Sequence, residues 1–326
     1  MEQIDTARER MNHFGRSGTP FFFMIDFLQQ HPVVLSFEEI YTEEILFQTP
    51  IANFLSDNDQ NDELPIQHID IFPRPLDEYR QQFDRVISEI KKGNSFLMNL
   101  TDQTPIKLNT DLRTVFHHAK AKYKLWYRDQ FVCFSPETFV TISEGTIRTY
   151  PMKGTINAST PAAKEQLLNS IKEKAEHYTI VDLLRNDLSM VAERVAVTKL
   201  RYIEEIAMNW GTLLQASTEI EGTLPFDYQS RLGNIIFTML PAGSVTGAPK
   251  KKTVQILCDT EQYARGYYTG VFGVFDGYSL DSAVMIRFIE KTATGYVYKS
   301  GGGITALSNC LDEYNELVEK IYVPIY

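Results

Sequence analysis

The sequence predicts an α+β fold in which antiparallel sheets are flanked by helices. Strand-like and helix-like stretches come in blocks instead of strict alternation, which argues against a doubly wound fold. Short alternating segments cluster at 123–150 and 269–300, the second with tight-turn pairs at Asp276-Gly277 and Thr294-Gly295, and read as two meanders. Longer stretches around them place apolar residues at helical spacing.

Taken in order, Phe21 to Phe27 and Val33 to Phe37 read as short strands. Residues 49 to 65 are polar and acidic and read as a surface loop, and Ile66 to Phe72 alternates as a strand does. Leu76, Tyr79, Phe83, Val86, Ile87 and Ile90 repeat at helical spacing, with Gly93 placed to end the helix. Ser95 to Thr101 is a strand carrying Asn99, and Thr110 to Lys120 a helix. The first meander comprises Tyr123 to Tyr127, Phe131 to Phe134, Thr138 to Ser143 and Thr146 to Tyr150. Thr160-Pro161 marks the start of one helix running to about Leu188, with Leu168, Ile171, Ala175, Tyr178 and Val181 as its core stripe. Strands follow at Val191 to Tyr202 and Thr212 to Glu221, then helices over Tyr228 to Met239 and Pro249 to Ala264. The second meander covers Thr269 to Phe275, Ser282 to Glu290 and Gly295 to Ser300. Gly301-Gly302-Gly303 and a helix from about Leu311 to Ile321 close the chain. Residues 1–65 are expected as a short strand-and-loop segment packed on one catalytic unit, 66–326.

Composition narrows the function. With 326 residues and 43% hydrophobic content the chain supports a large core. Its formal charge is −10 and no basic cluster exceeds Lys250-Lys251-Lys252, which argues against nucleic acid. A small anionic substrate stays open, because a few local cations suffice. No apolar run reaches spanning length, and Met1 to Arg16 is too polar and acidic for a signal peptide, so a cytoplasmic location is expected. Cys133, Cys258 and Cys310 are scattered and odd in number, as buried thiols are.

Six stretches carry candidate chemistry. In Tyr150-Pro151-Met152-Lys153-Gly154-Thr155, proline and glycine frame one lysine and aim its amine. Such a lysine is either a surface turn residue or, when desolvated, a nucleophile. In the last helix Glu313, Glu316 and Lys320 share a stripe, either a solvated face or carboxylates for a hard cation such as Mg²⁺. The glycine triplet before it is read as an anion-binding nest or a flexible turn. In the middle helix Glu176 and Asp187 oppose the helix dipole and need partners, one of which Arg185 can supply. Ser244, Thr246 and nearby amides can hold a carboxylate, and Arg287 in an apolar run calls for either a substrate carboxylate or a structural ion pair.

Together these segments resemble the chorismate-utilising enzymes: anthranilate synthase component I, aminodeoxychorismate synthase component I, and the isochorismate and salicylate synthases. The resemblance runs from about Leu76 to Ile321 through Ser135-Pro-Glu137, Pro151-Met-Lys-Gly-Thr155, Lys174-Ala-Glu-His177, Val181-Asp-Leu-Leu-Arg-Asn-Asp187, Gly243-Ser-Val-Thr-Gly-Ala-Pro-Lys250, Arg265-Gly-Tyr-Tyr-Thr-Gly270, Ile286-Arg287 and Gly301-Gly-Gly-Ile304. It implies a core of two stacked antiparallel sheets flanked by helices. Lys153 and Gln215 place the chain with the aminodeoxychorismate synthases, where anthranilate synthases carry alanine and histidine. The implied reaction joins chorismate and ammonia to give 4-amino-4-deoxychorismate, on the way to 4-aminobenzoate and folate. Lys153 would be a covalent nucleophile, partly neutral at working pH, and Glu137 the acid/base. Mg²⁺ would sit on Glu176 and Glu316, with Glu313, and hold the ring carboxylate beside Lys320. Tyr268, Arg287 and the amides of Gly301, Gly302 and Gly303 would hold the enolpyruvyl carboxylate, with Asn99, Thr155, Ser244 and Thr246 among the substrate contacts.

The chain departs from relatives at Leu97, where many have glutamine, and at Ser189-Met190 in place of glycine-arginine. The serine-bearing motif of the family's tryptophan pocket is not found. Ammonia is expected from a separate glutamine amidotransferase subunit in a heterodimer, or from free ammonium. The alternatives are anthranilate synthase component I and a catalytically inactive chorismate-binding or scaffold subunit.

Overall fold

The computed structural model describes residues 2–55, 69–160, 162–208 and 211–325. Most of the expected acidic loop, the start of the strand expected from Ile66, and Pro161 lie outside those residues. Two antiparallel sheets of nine strands each form the centre. In the first, Met152–Asn157, Gly211–Thr223, Thr146–Thr149, Thr138–Ser143, Leu280–Val284, Val271–Phe275, Phe21–Ile25 and Val33–Ser36 lie side by side, with Glu193–Met208 also on Gly211–Thr223. In the second the order is Gly247–Ala248, Leu97–Lys107, Gly295–Ile304, Phe288–Thr292, Phe131–Ser135, Tyr123–Tyr127, Ile45–Gln48 and Asn53–Phe54, with Asp70–Ile71 on Leu97–Lys107.

The sheets stack face to face. Phe22, Met24, Phe272 and Val274 of the first meet Phe47, Tyr123, Leu125, Phe131 and Phe288 of the second in one buried cluster. On the opposite face Phe21, Phe23 and Ile25 pack under helices. Phe21–Ile25 is thus buried on both faces, which is why it reads as an unbroken apolar run without alternation. Helices Leu76–Lys91, Lys250–Thr260 and Cys310–Glu319 cover the second sheet around Met98, Leu100 and Ile304. Among the described residues no helix is long and apolar enough to cross a membrane.

Several elements differ from the sequence expectation. Glu2–Ser17 is a helix, and Ala7 and Met11 bury its apolar side against Leu232–Met239. The helix expected from Thr160 to Leu188 is two, Ala163–Asn169 and Ile171–Ser189. They break at Ser170, whose hydroxyl accepts from Glu173 N at 3.3 Å and caps the second. Within the second helix Ala175 and Tyr178 are exposed while Val181, Leu184 and Leu188 are buried, so the stripe expected at its start does not face the core. Neither meander stays in one sheet. The chain crosses from the second sheet to the first at Pro136-Glu137, and back again at Ile286-Arg287. The crossings lie side by side: Phe134 N donates to Arg287 O at 3.2 Å, and Val284 N to Glu137 O at 3.1 Å. The strand expected from Ser282 to Glu290 therefore stops at Val284, and Arg287 sits at φ 53°.

A buried ion pair anchors the segments that line this crossing. Arg265 Nε donates to Glu261 Oε2 at 2.8 Å and Nη2 to Glu261 Oε1 at 2.6 Å, with both side chains almost wholly buried. The guanidinium also donates to Val245 O at 2.9 Å and Asn99 O at 2.6 Å, and so ties a loop to a strand. Glu261 in turn accepts from Thr101 N at 3.0 Å. Glu261→Ala leaves the Arg265 charge buried and unpaired, and should destabilise the fold by about 3–5 kcal/mol. Urea unfolding of the two proteins measures it; an unchanged midpoint would show that the clamp contributes nothing.

Candidate active site

A cavity of about 250 Å³ opens at the crossing. Asn99, Glu137, Lys153, Glu176, Ser244, Tyr268, Arg287, Gly301, Gly302, Gly303, Glu316 and Lys320 line it, so the fold gathers most of the candidate residues on one wall. Glu313, Thr155 and Thr246 are not in that lining. Thr155 is exposed and faces a neighbouring cavity: regular alternation would keep it on the Lys153 side, but the strand is irregular between Met152 and Thr155, with Gly154 at φ 87°. Thr246 is fully buried; its hydroxyl donates to Ala242 O at 2.8 Å and its carbonyl accepts from Asn99 N at 2.9 Å. Its role is to shape the loop that presents Ser244.

Lys153 lies in the strand Met152–Asn157, facing the helix Ile171–Ser189. Its Nζ is 2.9 Å from Glu176 Oε2. Gly154 follows at φ 87°, and a Cβ there would stand 2.8 Å from a Glu173 carboxylate oxygen. The left-handed φ favours glycine, and a side chain there would have to push the Glu173 carboxylate aside. Burial pulls the Lys153 ammonium down, but Glu176, Glu316 and Glu173 together outweigh it and hold it above the ordinary lysine value. This corrects the expectation of a partly neutral amine: surrounded by these carboxylates alone, Lys153 is an ammonium.

Glu137 is the contrasting group. It follows the sheet crossing, and the Ser244 hydroxyl donates to its Oε1. Burial pushes its carboxyl above the usual range, against the opposing pull of Ser244 and the more distant Lys320 and Arg287. The cavity is thus lined by a protonation-prone acid, Glu137, and a charged amine, Lys153. The loop carrying Ser244 packs on a second pair: Lys250 Nζ lies 2.8 Å from Asp187 Oδ1, and a Cβ on Gly243 would stand 2.6 Å from Asp187 Oδ2. Asp187 thereby obtains the partner its place late in a helix requires, while Arg185 pairs with Asp182 at 2.8 Å.

The glycine triplet is not a nest. Gly301, Gly302 and Gly303 belong to the strand Gly295–Ile304 and pair with Thr101, Leu100 and Asn99. Their contribution is space. A Cβ on Gly302 would stand 3.3 Å from Glu313 Oε2, 3.8 Å from Glu316 Oε1 and 3.8 Å from Lys320 Nζ. The last helix thus lays its two carboxylates and its lysine over bare backbone. Lys320 Nζ is 2.7 Å from Glu316 Oε1 and donates to Gly301 O at 2.8 Å. Burial pushes its ammonium down, and Glu316 offsets this only in part. Burial raises the Glu313 carboxyl, as does the negative charge of Glu316.

Glu173, Glu176, Glu313 and Glu316 therefore surround two ammoniums, Lys153 and Lys320, an excess of negative charge beside the cavity. Among the described residues no three such side chains close into a metal cage of their own. The donors are hard oxygens, and the groove over Gly302 is one that a side chain would fill. This arrangement fits a hard divalent cation completing its shell with ligand oxygens.

The sequence profile described as chorismate binding enzyme matches residues 45–325. The chain belongs to the chorismate-binding enzymes. A Haemophilus influenzae protein named "Uncharacterized PabA-like protein" is 51% identical over 97% of this chain and 96% of its own length. The aminodeoxychorismate synthase component 1 of Bacillus subtilis is 30% identical over 77% of this chain, which spans about half (55%) of that protein's length. Among solved structures, the menaquinone-specific isochorismate synthase of Escherichia coli superposes with a TM-score of 0.72 at 15% identity, over 97% of this chain and 80% of that one. That likeness is one of fold, and it matches the two antiparallel sheets described above.

In this chorismate-binding enzyme the sequence reading missed three parts of the site. Glu173 stands three residues before Glu176, hence on the same helix face, and that spacing was the available signal. Tyr150 and Met152 line the cavity from either side of Pro151. A second cavity of about 1030 Å³ adjoins the first and shares Pro136, Thr138, Tyr150, Met152, Gln215 and Arg287 with it. It is closed by Lys120, Lys122 and the C-terminal residues Tyr322 and Pro324, far apart in sequence, and no local pattern marks it.

Proposed function

We propose that this chorismate-utilising enzyme aminates its substrate at C4, converting chorismate and ammonia to 4-amino-4-deoxychorismate. The observation that carries the reading is Lys153: an aimed amine on the cavity wall, beside acidic side chains and near a protonation-prone Glu137. The 30% identity to a protein named aminodeoxychorismate synthase component 1 supports it.

In this reading Lys153 Nζ passes a proton to one of the carboxylates beside it and bonds to C2 of the ring. Both conjugated ring double bonds shift, from C1–C2 and C5–C6 to C1–C6 and C4–C5, and the C4–O bond breaks. Glu137 passes its proton to the departing oxygen, which leaves as water. Ammonia then bonds to C4 and gives up a proton, both double bonds return, and the C2–N bond breaks as Lys153 Nζ takes a proton back. Mg²⁺ would be held by Glu176 and Glu316 with Glu313 beside them, and would supply positive charge for the ring carboxylate. Lys320 stands beside that carboxylate. Arg287, which makes no ion pair among the described residues, is left to bind the enolpyruvyl carboxylate together with the backbone near Gly302. A separate glutamine amidotransferase, or free ammonium, supplies the amine.

Product identity tests the proposal. Purified protein with chorismate, Mg²⁺ and ammonium, or with glutamine and its amidotransferase, should form a product that becomes 4-aminobenzoate only after a lyase is added. Direct appearance of fluorescent anthranilate would assign the anthranilate synthase reaction instead. No chorismate consumption under either condition would favour an inactive binding subunit.

A further inference from the structure

Among the described residues lining both cavities, Arg287 alone is charged. Its guanidinium has an unusual set of neighbours. Cζ lies 4.8 Å from the centre of the Tyr322 ring, and Nη1 donates to Lys320 O at 3.3 Å. Nε is buried and has no hydrogen-bond partner, and no carboxylate pairs with the group among the described residues. Tyr322 is itself anchored, since its carbonyl accepts from the Tyr298 hydroxyl at 3.1 Å. It lies just past the last helix, in the C-terminal strap that also receives a hydrogen bond from Lys120 N at Pro324 O, 2.7 Å.

An aromatic face attracts a guanidinium without cancelling its charge or occupying its N–H groups. A carboxylate in the same place would do both, and would leave nothing for an incoming anion. We propose that Tyr322 is a positioning residue for substrate binding: its ring stations the Arg287 guanidinium so that the terminal Nη groups, and not the buried Nε, meet a substrate carboxylate where Arg287 lines the cavity. The inference rests on the reading of Arg287 as a carboxylate-binding residue, and is independent of which chorismate product is made.

Calorimetric titration of chorismate into the wild type, Tyr322→Phe, Tyr322→Leu and Arg287→Ala tests it. Phe and Leu both keep apolar bulk, but only Phe keeps a π-face. Tyr322→Leu should weaken binding about two- to thirtyfold. Tyr322→Phe should bind as the wild type does, and Arg287→Ala should lose at least about tenfold. In turnover the Leu variant should raise KM while leaving kcat nearly unchanged, since a carboxylate contact is made equally in ground and transition states. Wild-type affinity in Tyr322→Leu alongside lost affinity in Arg287→Ala would overturn the proposal. So would a Phe variant as weak as Leu, which would assign the effect to the hydroxyl. Undiminished binding by Arg287→Ala would overturn the underlying reading of Arg287 as well, and so separates the two failures.

Discussion

Lys153→Ala should lower ammonia-dependent turnover of chorismate by about three orders of magnitude or more, because it removes the atom that forms the covalent bond. Stability should change little. The Lys153 and Glu176 side chains are 30% and 26% exposed, so the pair is partly screened and its loss does not strand a fully buried charge. Chorismate affinity should fall far less than kcat, since Arg287 and Lys320 remain in place. Steady-state kinetics with ammonium and Mg²⁺ give kcat and KM separately, and thermal unfolding confirms the fold. A variant that makes the 4-amino product at the wild-type rate would remove Lys153 from the chemistry and leave it as a partner of Glu176. A variant with unchanged kcat and a raised KM would make it a binding residue.

Glu137→Gln should cost about 10²–10⁴-fold in kcat, the range expected for loss of a positioned general acid. Gln is isosteric and keeps an acceptor for the Ser244 hydroxyl, so substrate binding and fold should survive. The pH profile gives an independent check. Burial raises the folded-state pKa of Glu137, so its protonated form persists to higher pH than that of an exposed glutamate. Donating a proton requires that form, so the wild-type rate should fall as pH rises through the raised value. In the Gln variant that limb should vanish from the residual rate. A residual rate with the same alkaline limb would assign the titration to another group.

The fold class was legible because both meanders and most helices carry local periodicity. What the sequence hid was long-range. The stretch from Ser282 to Glu290 is a near-continuous apolar run, so it reads as one strand and does not announce the crossing at Ile286-Arg287. At the other crossing Pro136 was a local sign, yet it did not show that two crossings lie side by side and form the cavity wall. The first helix did carry a signal, Ile4, Ala7, Met11 and Phe14 at helical spacing, masked by its charged residues.

The site was legible where helical spacing or turn residues fix geometry. Glu313, Glu316 and Lys320 converge as the 3–4 spacing requires, over a glycine whose missing side chain makes room. The triplet was misread because glycine runs suggest turns, whereas strand pairing with Asn99 to Thr101 decides its conformation. The protonation state of Lys153 was misjudged for a related reason. Desolvation can be guessed from a proline-glycine frame, but the number of carboxylates brought alongside depends on two separate helices.

The most direct measurement is intact-protein and peptide mass spectrometry of the enzyme quenched after mixing with chorismate and Mg²⁺ in the absence of ammonia. Attack by Lys153 predicts a mass gain of one chorismate less one water, located on the peptide containing Lys153 and discharged when ammonium is added. Rapid product formation on adding ammonium, with no adduct on that peptide at any quench time and none after reductive or acid trapping, would contradict the account.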